Sequence, residues 1–411
     1  MGKTIRVLHV LGGVGLGGAE SRIMDLYRQM DRAEIQFDFL VHSEGMNHVH
    51  RGASGEAGGH FAEAGVDEWC GRKPEFYDEE IRRLGGHIYV LPKFKVYNYF
   101  AYRRAVRQFF ERHHEFQVVQ GHMTSTAGIY LPIAKRCGVA VTVAHSRNAG
   151  VEKGAKGLAT KFFRRGLAGK ADHCFACSEP AGEDVFGRAA MRQGKVQIIH
   201  NAIDVERFVF HPQKRAEVRE QLDLDGKLVL GHVGRFNYQK NHPYLIDIFA
   251  ALCRLRQDAV LLLLGEGPDQ ERIREQCLAL GIEDKVRFLG NQKKPEDYYQ
   301  AMDFFVLPSF FEGLPGVLVE AQAAGLKCLV SDTVTREAQA TELVTWLAIE
   351  QPAAVWAERI QAEAAYKRQD TSGIMRAAGF DVKTQADAYR VFYRNGRCDA
   401  FRESEKQRLQ G

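Results

Sequence analysis

Short apolar runs alternate with longer amphipathic stretches along most of this chain of 411 residues. Strands that are apolar throughout have both faces buried, and such strands joined by helices form parallel sheets covered by helices. The first half contains seven strand-like runs: IRVLHVL, FDFLV, HIYVL, QVVQG, VAVTVAH, HCFAC and VQIIH. A second series contains LVLGHVG, AVLLLLG, KVRFLG, DFFVLP and LKCLVSD. The alternation predicts an α/β protein with two doubly wound, Rossmann-like domains.

A polar stretch after Phe208, HPQKRAEVREQLDLDGK, separates the two series. We therefore expect a first domain over residues 1–208 and a second domain over 209–385. Residues 44–74 are rich in Gly and His and have no clear period, which is typical of a flexible surface insertion. Residues 386–411 are predicted to form a charged helical segment that could pack back on the first domain.

The composition is that of an ordinary globular protein and excludes several other classes of chain. Hydrophobic residues make up 45% and charged residues 26%, unlike collagen, coiled coils or disordered chains. Eight cysteines are too few for a disulfide-based scaffold. No apolar run has the length of a secretory signal or a membrane-spanning helix. We therefore expect a cytoplasmic protein, with any membrane contact peripheral and at the inner face.

The net charge of +4 hides a strongly basic segment in the first half of the chain. Residues 93–170 contain 15 Lys and Arg but three acidic residues. Aromatic residues are interleaved with these cations, a pattern typical of surfaces that stack single-stranded nucleic acid or that lie on anionic lipid. Alternatively, the aromatic residues belong to the core and the cations are solvated; the residues concerned are Phe109, Phe110, Phe162 and Phe163.

A glycine-rich turn follows the first predicted strand and precedes a predicted helix. Gly13, Gly15 and Gly18 match the G-x-G-x-x-G spacing, and Glu44 lies beyond the second strand, as in dinucleotide-dependent oxidoreductases. The turn could also hold a phosphate or an anionic sugar, because glycine permits close approach and the helix start presents N–H groups. A tight turn without a ligand is the third interpretation.

The second half carries charged residues at the positions where α/β domains bind their ligands. Arg235 and Lys240 follow the strand LVLGHV, and two cations at the carboxyl end of a strand suit a diphosphate. If a helix begins at Gly316, Glu312 precedes it and Glu320 lies about one turn inside it. Glu320 has apolar sequence neighbours, which favours a bound role over a solvated one.

These motifs resemble those of the large family of retaining glycosyltransferases numbered family 4, which have the GT-B fold. The motifs that carry the resemblance are GGAE (17–20), ACSE (176–179), HNAID (200–204), GR (234–235), LGEGP (264–268), EGLP (312–315) and EA (320–321). They cover nearly the whole chain outside residues 44–74. The details are most similar to bacterial exopolysaccharide and capsule transferases.

The resemblance implies that the two domains face each other across a cleft, with the donor in the second domain and the acceptor in the first. It implies that Arg235 and Lys240 neutralise the diphosphate of a nucleotide sugar and that Glu320 binds its ribose. Glu312, beside the transferred sugar, and His145, which matches a family histidine touching that sugar, are the implied catalytic residues. Further donor contacts are implied for Gly17, Gly18, Asn201, Asn291 and the amides of Gly316 and Val317.

Two details of the sequence bear on backbone and metal requirements. The usual family motif Asn-Gly-Ile-Asp is NAID at residues 201–204, so a positive φ at Ala202 would cost about 1 kcal/mol. The D-x-D at residues 223–225 has the spacing of metal-dependent transferases of another fold, but its place in a polar linker indicates turn chemistry. Because Arg235 and Lys240 supply positive charge, we expect no metal and no cofactor beside a UDP- or GDP-linked donor substrate.

The sequence therefore predicts a retaining glycosyltransferase of bacterial polysaccharide biosynthesis that moves a sugar onto a saccharide linked to polyprenyl diphosphate. Because many family members use lipid-linked acceptors, the resemblance favours an anionic membrane over nucleic acid as the partner of residues 93–170. A nucleotide-sugar epimerase of the same fold is an alternative enzyme. An NAD-dependent oxidoreductase is a further alternative, although it leaves Arg235, Lys240 and both glutamates unexplained. A nucleic-acid-binding module is the alternative outside enzymology.

Overall fold

The computed structural model describes residues 4–44, 72–147 and 155–402, which form two compact units. The first unit contains the described residues up to His200 and, from the C-terminal part, those from Lys383 onwards; the second unit is Asn201–Val382. Each unit has a parallel sheet flanked by helices, so the prediction of two doubly wound α/β domains is confirmed.

Most of the predicted insertion at residues 44–74, namely 45–71, lies outside the described residues, as do residues 403–411 of the predicted C-terminal segment. Within the described residues, no helix combines the length and the hydropathy that crossing a bilayer requires.

A seven-stranded parallel sheet forms the centre of the first unit. Its strands are β1 Ile5–Val10, β2 Ile35–Ser43, β3 Ile88–Pro92, β4 Phe116–Gly121, β5 Val141–Ser146, β6 His173–Ala176 and β7 Val196–Ile198. Their order in the sheet is β3-β2-β1-β4-β5-β6-β7. Each strand coincides with one of the seven apolar runs of the first half, as expected for strands with both faces covered.

The helices of the first unit connect these strands and cover the sheet. They are α1 Gly18–Arg28, α2 Asp78–Arg83, α3 Tyr99–Arg112, α4 Thr124–Arg136, α5 Ala155–Arg164, α6 Glu179–Phe186 and α7 Arg188–Arg192. In α3, the buried residues Tyr102, Val106 and Phe110 follow each other at intervals of four and pack into one hydrophobic cluster with α4. This spacing places them on one face of the helix.

The second unit contains a six-stranded parallel sheet. Its strands are β8 Leu228–Val233, β9 Ala259–Leu264, β10 Val286–Gly290, β11 Phe304–Leu307, β12 Lys327–Ser331 and β13 Val344–Leu347, in the order β10-β9-β8-β11-β12-β13. The sequence predicted the first five of these strands but not β13. That strand has four residues, VTWL, and lies at the edge of the sheet with three of them partly exposed.

The helices of the second unit are α8 Val205–Phe208, α9 Pro212–Gln221, α10 His242–Leu255, α11 Gln270–Ala279, α12 Pro295–Ala301, α13 Gly316–Ala323, α14 Ala353–Glu363 and α15 Ser372–Ala377. Helix α10 packs Leu245, Phe249 and Leu252 into a cluster that includes Leu261 of β9 and Trp356 of α14. This cluster is the core beneath the segments that carry the predicted donor residues.

The two units divide at residues 200 and 201, whereas the sequence placed the boundary between 208 and 209. The reason is that the chain joins the second unit immediately after His200. The amide of Ile203 donates to the carbonyl of Phe380 at 2.9 Å, and Ile203 forms an isolated parallel bridge with Asp381. Helix α8 then packs against α12, α13 and α15.

A last helix, α16 Val382–Asn395, begins at the end of the second unit and packs on the first. The Tyr393 hydroxyl donates to Gln120 Oε1 of β4 at 2.7 Å, and the ring of Phe392 lies 5.1 Å from that of Phe175 in β6. The C-terminal segment thus supplies core side chains to a domain formed mainly by the first half of the chain.

The direction in which strands are added reverses once in each sheet, and this reversal marks the usual ligand position in α/β proteins. In the first unit the reversal lies at β1 and β4, and in the second unit at β8 and β11. The glycine-rich turn follows β1, and the segment with Arg235 follows β8. Both motifs therefore lie where open parallel sheets bind ligands.

Candidate active site

A lysine and a glutamate form a largely buried ion pair beyond the carboxyl end of β8. Lys240 Nζ lies 2.7 Å from Glu312 Oε1, and Gln239 Nε2 donates to Glu312 Oε2 at 3.0 Å. The two charged side chains are 13% and 6% exposed. The structure thus brings together two residues that the sequence assigned to the donor, and it adds Gln239, which the sequence analysis missed.

The backbone around this pair fixes the position of Lys240. Asn237 accepts a hydrogen bond from the Lys240 amide at 3.3 Å, and Asn241 has a positive φ of 53° immediately before α10. A Cβ atom on Gly234 would lie 2.9 Å from Lys240 Cε, so glycine leaves room for the lysine stem. Arg235 is exposed and forms no ion pair with any residue the structure describes. Its guanidinium is therefore available to an anionic ligand.

Glu320 lies inside α13 and is oriented by a tyrosine from a neighbouring helix. The Tyr299 hydroxyl of α12 donates to Glu320 Oε2 at 2.8 Å, and the glutamate is 6% exposed. A buried carboxylate requires hydrogen-bond donors, and Tyr299 supplies one. Tyr299 is the second residue that the sequence analysis missed, because nothing in its local sequence indicates a partner 21 residues later.

The first turn of α13 presents the amides that the sequence assigned to phosphate. Gly316 and Val317 are the first two residues of the helix, and the Leu318 amide donates to the carbonyl of Pro315 at 3.0 Å. The Gly316 and Val317 amides thus precede the internal hydrogen bonds of the helix. Such amides carry the partial positive charge of a helix N-terminus, which favours an anion.

Asn201 holds the loop that contains Glu312. Its side-chain amide donates to the carbonyl of Leu314 at 3.0 Å, and Asn201 is buried. The neighbouring Ala202 shows no strain, because the positive φ values among described residues other than glycine occur at Asp223 and Asn241. The cost expected for alanine in place of glycine therefore does not arise.

Asn291 lies at the carboxyl end of β10, beside the turn that follows β9. Its side-chain amide donates to Glu266 Oε2 at 3.0 Å, and the Gly265 amide donates to the carbonyl of Gly290 at 2.8 Å. A Cβ atom on Gly265 would lie 2.2 Å from the carbonyl oxygen of Gly234. The segments after β8, β9 and β10 therefore pack closely, and Asn291 belongs to this group of loops.

The glycine-rich turn of the first unit already contains a carboxylate of the chain itself. Glu75 Oε2 accepts from the amide of Val14, and Arg72 lies 3.0 Å from the same oxygen. Gly17 caps the N-terminus of α1, which begins at the exposed Gly18. A Cβ atom on Gly13 would lie 2.7 Å from Glu75 Oε2, so the Glu75 carboxylate packs directly against the glycine-rich turn. The sequence analysis missed Glu75, which lies beyond the region of residues 45–71.

His145 is fully buried at the end of β5 and belongs to a hydrogen-bonded chain. Its Nδ1 lies 2.9 Å from Gln120 Nε2, and Gln120 Oε1 in turn accepts from the Tyr393 hydroxyl. The amide of Gln120 therefore donates to His145 Nδ1, which leaves the imidazole proton on Nε2. Burial, together with Arg147, holds the pKa of His145 well below its ordinary value, so the ring is neutral near pH 7.

Two further histidines, the buried His9 and the partly buried His122, lie beside His145. His9 Nδ1 is 3.1 Å from His122 Nε2, and the rings of His122 and His145 are 5.3 Å apart. Burial and then Arg147 lower the pKa of His9 to about 3. The first unit thus gathers three neutral imidazoles near the carboxyl ends of β1, β4 and β5.

The basic segment 93–170 divides into core and surface residues. Phe109 and Phe110 of α3 are buried, whereas Phe162 of α5 is 70% exposed and Phe100 of α3 is 81% exposed. The interpretation that all the aromatic residues belong to the core is therefore wrong. Other exposed apolar side chains of the same segment are Val96, Tyr97 and Leu158.

The D-x-D motif lies in the turn between α9 and β8. Asp223 has a positive φ of 50° and forms an ion pair with Lys227 at 2.9 Å. Among the residues with a described position, no group of three or more His, Cys, Asp and Glu side chains is arranged to hold a metal ion.

Comparison with known proteins decides between the possible families. A family model described as Glycosyltransferase Family 4 matches residues 16–207, and one described as Glycosyl transferases group 1 matches residues 214–364. EpsF of Bacillus subtilis (strain 168), which is named as a glycosyltransferase, is 34% identical over 391 residues, or 93% of this chain and 94% of EpsF. The chain belongs to glycosyltransferase family 4. This confirms the resemblance seen in the sequence, and the oxidoreductase interpretation of the glycine-rich turn is wrong.

Other relatives share parts of this glycosyltransferase or its fold. A Campylobacter jejuni enzyme named as an N-acetylgalactosaminyltransferase acting on a diphospho-undecaprenol-linked saccharide is 33% identical over 175 residues, covering 43% of this chain and 45% of its own. The crystal structure of Anabaena HepE in complex with UDP and glucose superimposes with a TM-score of 0.70 at 17% identity, covering 95% of this chain and all of HepE. Both units thus share the fold of known glycosyltransferases.

Proposed function

We propose that this glycosyltransferase transfers a sugar, with retention of anomeric configuration, from a UDP- or GDP-linked donor to a lipid-linked saccharide in bacterial polysaccharide biosynthesis. The observation that carries the proposal is the cluster of Lys240, Glu312 and the exposed Arg235 at the carboxyl end of β8. Its charges and its position suit a nucleoside diphosphate whose sugar reacts at the carboxylate end of the cluster.

Arg235 and Lys240 neutralise the diphosphate as it leaves. Positive groups fixed in position before the reaction stabilise developing negative charge without further reorganisation, and this is commonly the largest contribution to catalysis. The amides of Gly316 and Val317 add hydrogen bonds to the phosphate oxygens at the start of α13. Glu312, which is held by Lys240 and Gln239, contacts the donor sugar.

Glu320 and Asn291 bind the nucleoside. Glu320, oriented by Tyr299, accepts hydrogen bonds from the ribose hydroxyls, while Asn291 and the backbone beside Gly290 lie against the base. The UDP in the HepE complex supports uridine as the base. The donor class is testable by thermal shift with UDP, GDP, ADP and their sugars, because a ligand at 100 times its Kd stabilises the folded state by about 2.7 kcal/mol.

We further propose that the reaction needs neither a metal ion nor a cofactor. The reason is that Arg235 and Lys240 are proposed to contact the donor diphosphate, where a divalent cation would otherwise neutralise charge. Transfer should then continue at an unchanged rate when the protein is dialysed against a chelator. Activity lost on chelation and restored by a divalent cation would contradict this part of the proposal.

The acceptor is proposed to bind to the first unit, near His145. The name of the Campylobacter relative, which acts on a diphospho-undecaprenol-linked saccharide, supports a lipid-linked acceptor. The role proposed for neutral His145 is to donate from Nε2 to a sugar hydroxyl, since no hydrogen-bond acceptor for that atom occurs among the residues that the structure describes. Because the ring is fully buried, this contact requires the side chains that cover it to move. Gly17 and Gly18 are proposed to contact the donor from this unit.

A lipid-linked acceptor requires the protein to reach a membrane, and the first unit has a suitable surface. Tyr97, Phe100 and Phe162 are each at least 70% exposed, and Phe163 of α5 lies 6.2 Å from Tyr99 of α3, which places the two helices side by side. Lys95 Nζ lies 5.9 Å from the centre of the Tyr97 ring, and Phe100 and Phe162 have Arg103 and Lys161 nearby in the sequence. We therefore propose peripheral binding to the anionic inner face of the membrane.

The reaction type is tested by incubating the protein with the nucleotide sugar that stabilises it and with lipid-linked saccharide acceptors. Proton NMR of the product gives the anomeric configuration, which should equal that of the donor. An inverted product would contradict retention. Formation of a free epimerised sugar without transfer would instead favour the epimerase.

A further inference from the structure

A groove on the first unit lies away from the residues assigned to donor and acceptor. It has a volume of about 540 Å³ and is bounded by α3, α4 and the segment that leads into β6. Thr142, near the start of β5, and Asp172, just before β6, line it. The groove therefore lies at the amino edge of the parallel sheet, whereas His145 and the glycine-rich turn lie at the carboxyl edge.

Positive charge dominates the lining of this groove. Four lining side chains are cationic, and one, Asp172, is acidic; the cations are Arg103, Lys135, Arg136 and Lys170. Lys135 Nζ lies 2.8 Å from Asp172 Oδ2, and the Thr142 amide and hydroxyl donate to the same oxygen at 2.8 Å. The acidic residue is thus neutralised by one lysine, and three cations are left without a counter-ion among the described residues.

The three remaining cations converge from different elements. The Arg103 guanidinium of α3 lies 5.5 Å from the centre of the Tyr99 ring, and Arg136 is exposed at the end of α4. Lys170 approaches α4 closely, because a Cβ atom on Gly128 would lie 3.3 Å from its Nζ. Two guanidinium groups and an ammonium around one concave surface suit the several oxygens of a phosphate group.

We infer that this groove is a second ligand site, which binds the phosphate group of an anionic ligand through Arg103, Arg136 and Lys170. The phosphate belongs either to a soluble phosphorylated compound or to the headgroup of an anionic lipid. None of these residues belongs to the donor or acceptor residues described above, so a soluble phosphate ligand is independent of the proposed transferase reaction. All three cations lie in the segment 93–170, so a lipid headgroup here rests on the proposed membrane binding and specifies its site.

The test is hydrogen exchange measured by mass spectrometry on the whole chain, with inorganic pyrophosphate in one arm and lipid vesicles in the other. The vesicles contain phosphatidylglycerol and phosphatidylcholine, or phosphatidylcholine alone. We expect slower exchange at residues 129–136 and 166–172 in at least one arm. In Arg103→Glu/Arg136→Glu, the affinity for the effective probe should fall about tenfold or more, because two charged hydrogen-bond donors are lost.

A matched control separates this site from general attraction of anions to a basic surface. Arg192→Glu/Lys195→Glu makes the same change of charge on exposed residues at and just after the end of α7, outside both the groove and the segment 93–170, and should retain the protection. Protection by pyrophosphate that is lost only in Arg103→Glu/Arg136→Glu identifies a soluble phosphate ligand. Protection restricted to phosphatidylglycerol vesicles, and lost only in that variant, identifies a lipid headgroup.

Three results would overturn the inference. The first is that neither probe protects the groove residues against exchange. The second is that this protection survives in Arg103→Glu/Arg136→Glu. The third is that both double variants lose the protection equally. Protection of residues 312–318 by UDP, followed in the same experiment, reports separately on the proposed donor site. A failure of the groove and a failure of the proposed function are therefore distinguishable.

Discussion

The Lys240 ammonium and the Glu312 carboxylate lie 2.7 Å apart, although the sequence assigned the lysine to the diphosphate and the glutamate to the sugar. Because the two groups are largely buried and within hydrogen-bond distance, each holds the other in position before a donor binds. An incoming diphosphate therefore meets an ammonium whose place is already fixed.

Lys240→Ala should impair both transfer and folding, whereas removing both partners should impair transfer alone. Loss of the lysine leaves Glu312 buried without its counter-ion, which costs about 3 kcal/mol of unfolding free energy. It also removes a charge that stabilises the leaving group, which lowers kcat by about 10²–10³. Lys240→Ala/Glu312→Ala should recover most of the lost stability in urea unfolding and none of the lost kcat. A double variant as unstable as Lys240→Ala would show that the pair is not coupled.

Tyr299→Phe should weaken donor binding without changing the chemical step. The phenyl ring keeps the packing, but Glu320 loses a hydrogen bond from a hydroxyl and is no longer oriented toward the ribose. Since a hydrogen bond to a charged group contributes about 1.5–3 kcal/mol, we expect KM for the donor to rise about tenfold with kcat nearly unchanged. The control is Tyr298→Phe, which removes a hydroxyl that donates to Gln292 and not to Glu320. Equal effects of the two substitutions would contradict a specific role for Tyr299.

Tyr393→Phe should lower kcat while leaving the binding of UDP intact. Without the tyrosine hydroxyl, the Gln120 side chain is free to rotate, and the tautomer of His145 is no longer fixed. We expect kcat to fall about tenfold, as for the loss of one hydrogen bond of about 1.4 kcal/mol in the transition state. Tyr27→Phe removes another hydrogen-bonded hydroxyl from the same unit, one that donates to the Leu84 carbonyl, and should leave kcat unchanged. This prediction rests on the proposed role of His145.

The sequence was sufficient to predict twelve of the thirteen strands but not the contacts between distant side chains. The run AVLLLL in β9 predicts a buried strand from its own residues alone, because it is short and apolar throughout and a glycine follows it. The pairing of Tyr299 with Glu320, or of Tyr393 with Gln120, depends on how separate elements pack. Edge strand β13 was missed for a related reason, since a partly exposed run of four residues carries little periodicity.

His242→Leu should reduce the loss of stability in acid. Burial lowers the pKa of His242 to about 2, with His232 and Lys240 contributing, whereas in the unfolded chain the ring titrates near 6.5. Below that pH the unfolded state binds a proton that the folded state does not, so stability falls by about 1.4 kcal/mol per pH unit. Both ring nitrogens lack hydrogen-bond partners among the described residues, so the substitution breaks no such bond.

Urea unfolding at several pH values measures this difference. The free energies of unfolding of His242→Leu and of the original protein should run parallel above about pH 7.5, where the imidazole is neutral in both states. Between about pH 6.5 and pH 4 the variant should have the smaller slope. Identical slopes over that range would show that His242 is protonated in the folded protein.

The most direct test of the proposed transferase is the rate of nucleoside diphosphate release in Glu312→Ala, measured with the donor sugar that binds. We expect transfer to fall by about 100-fold or more, with circular dichroism unchanged, because the carboxylate that contacts the reacting sugar is lost. Glu358→Ala, on an exposed position of α14 in the same unit, should retain full activity. Unchanged turnover in Glu312→Ala would contradict the account.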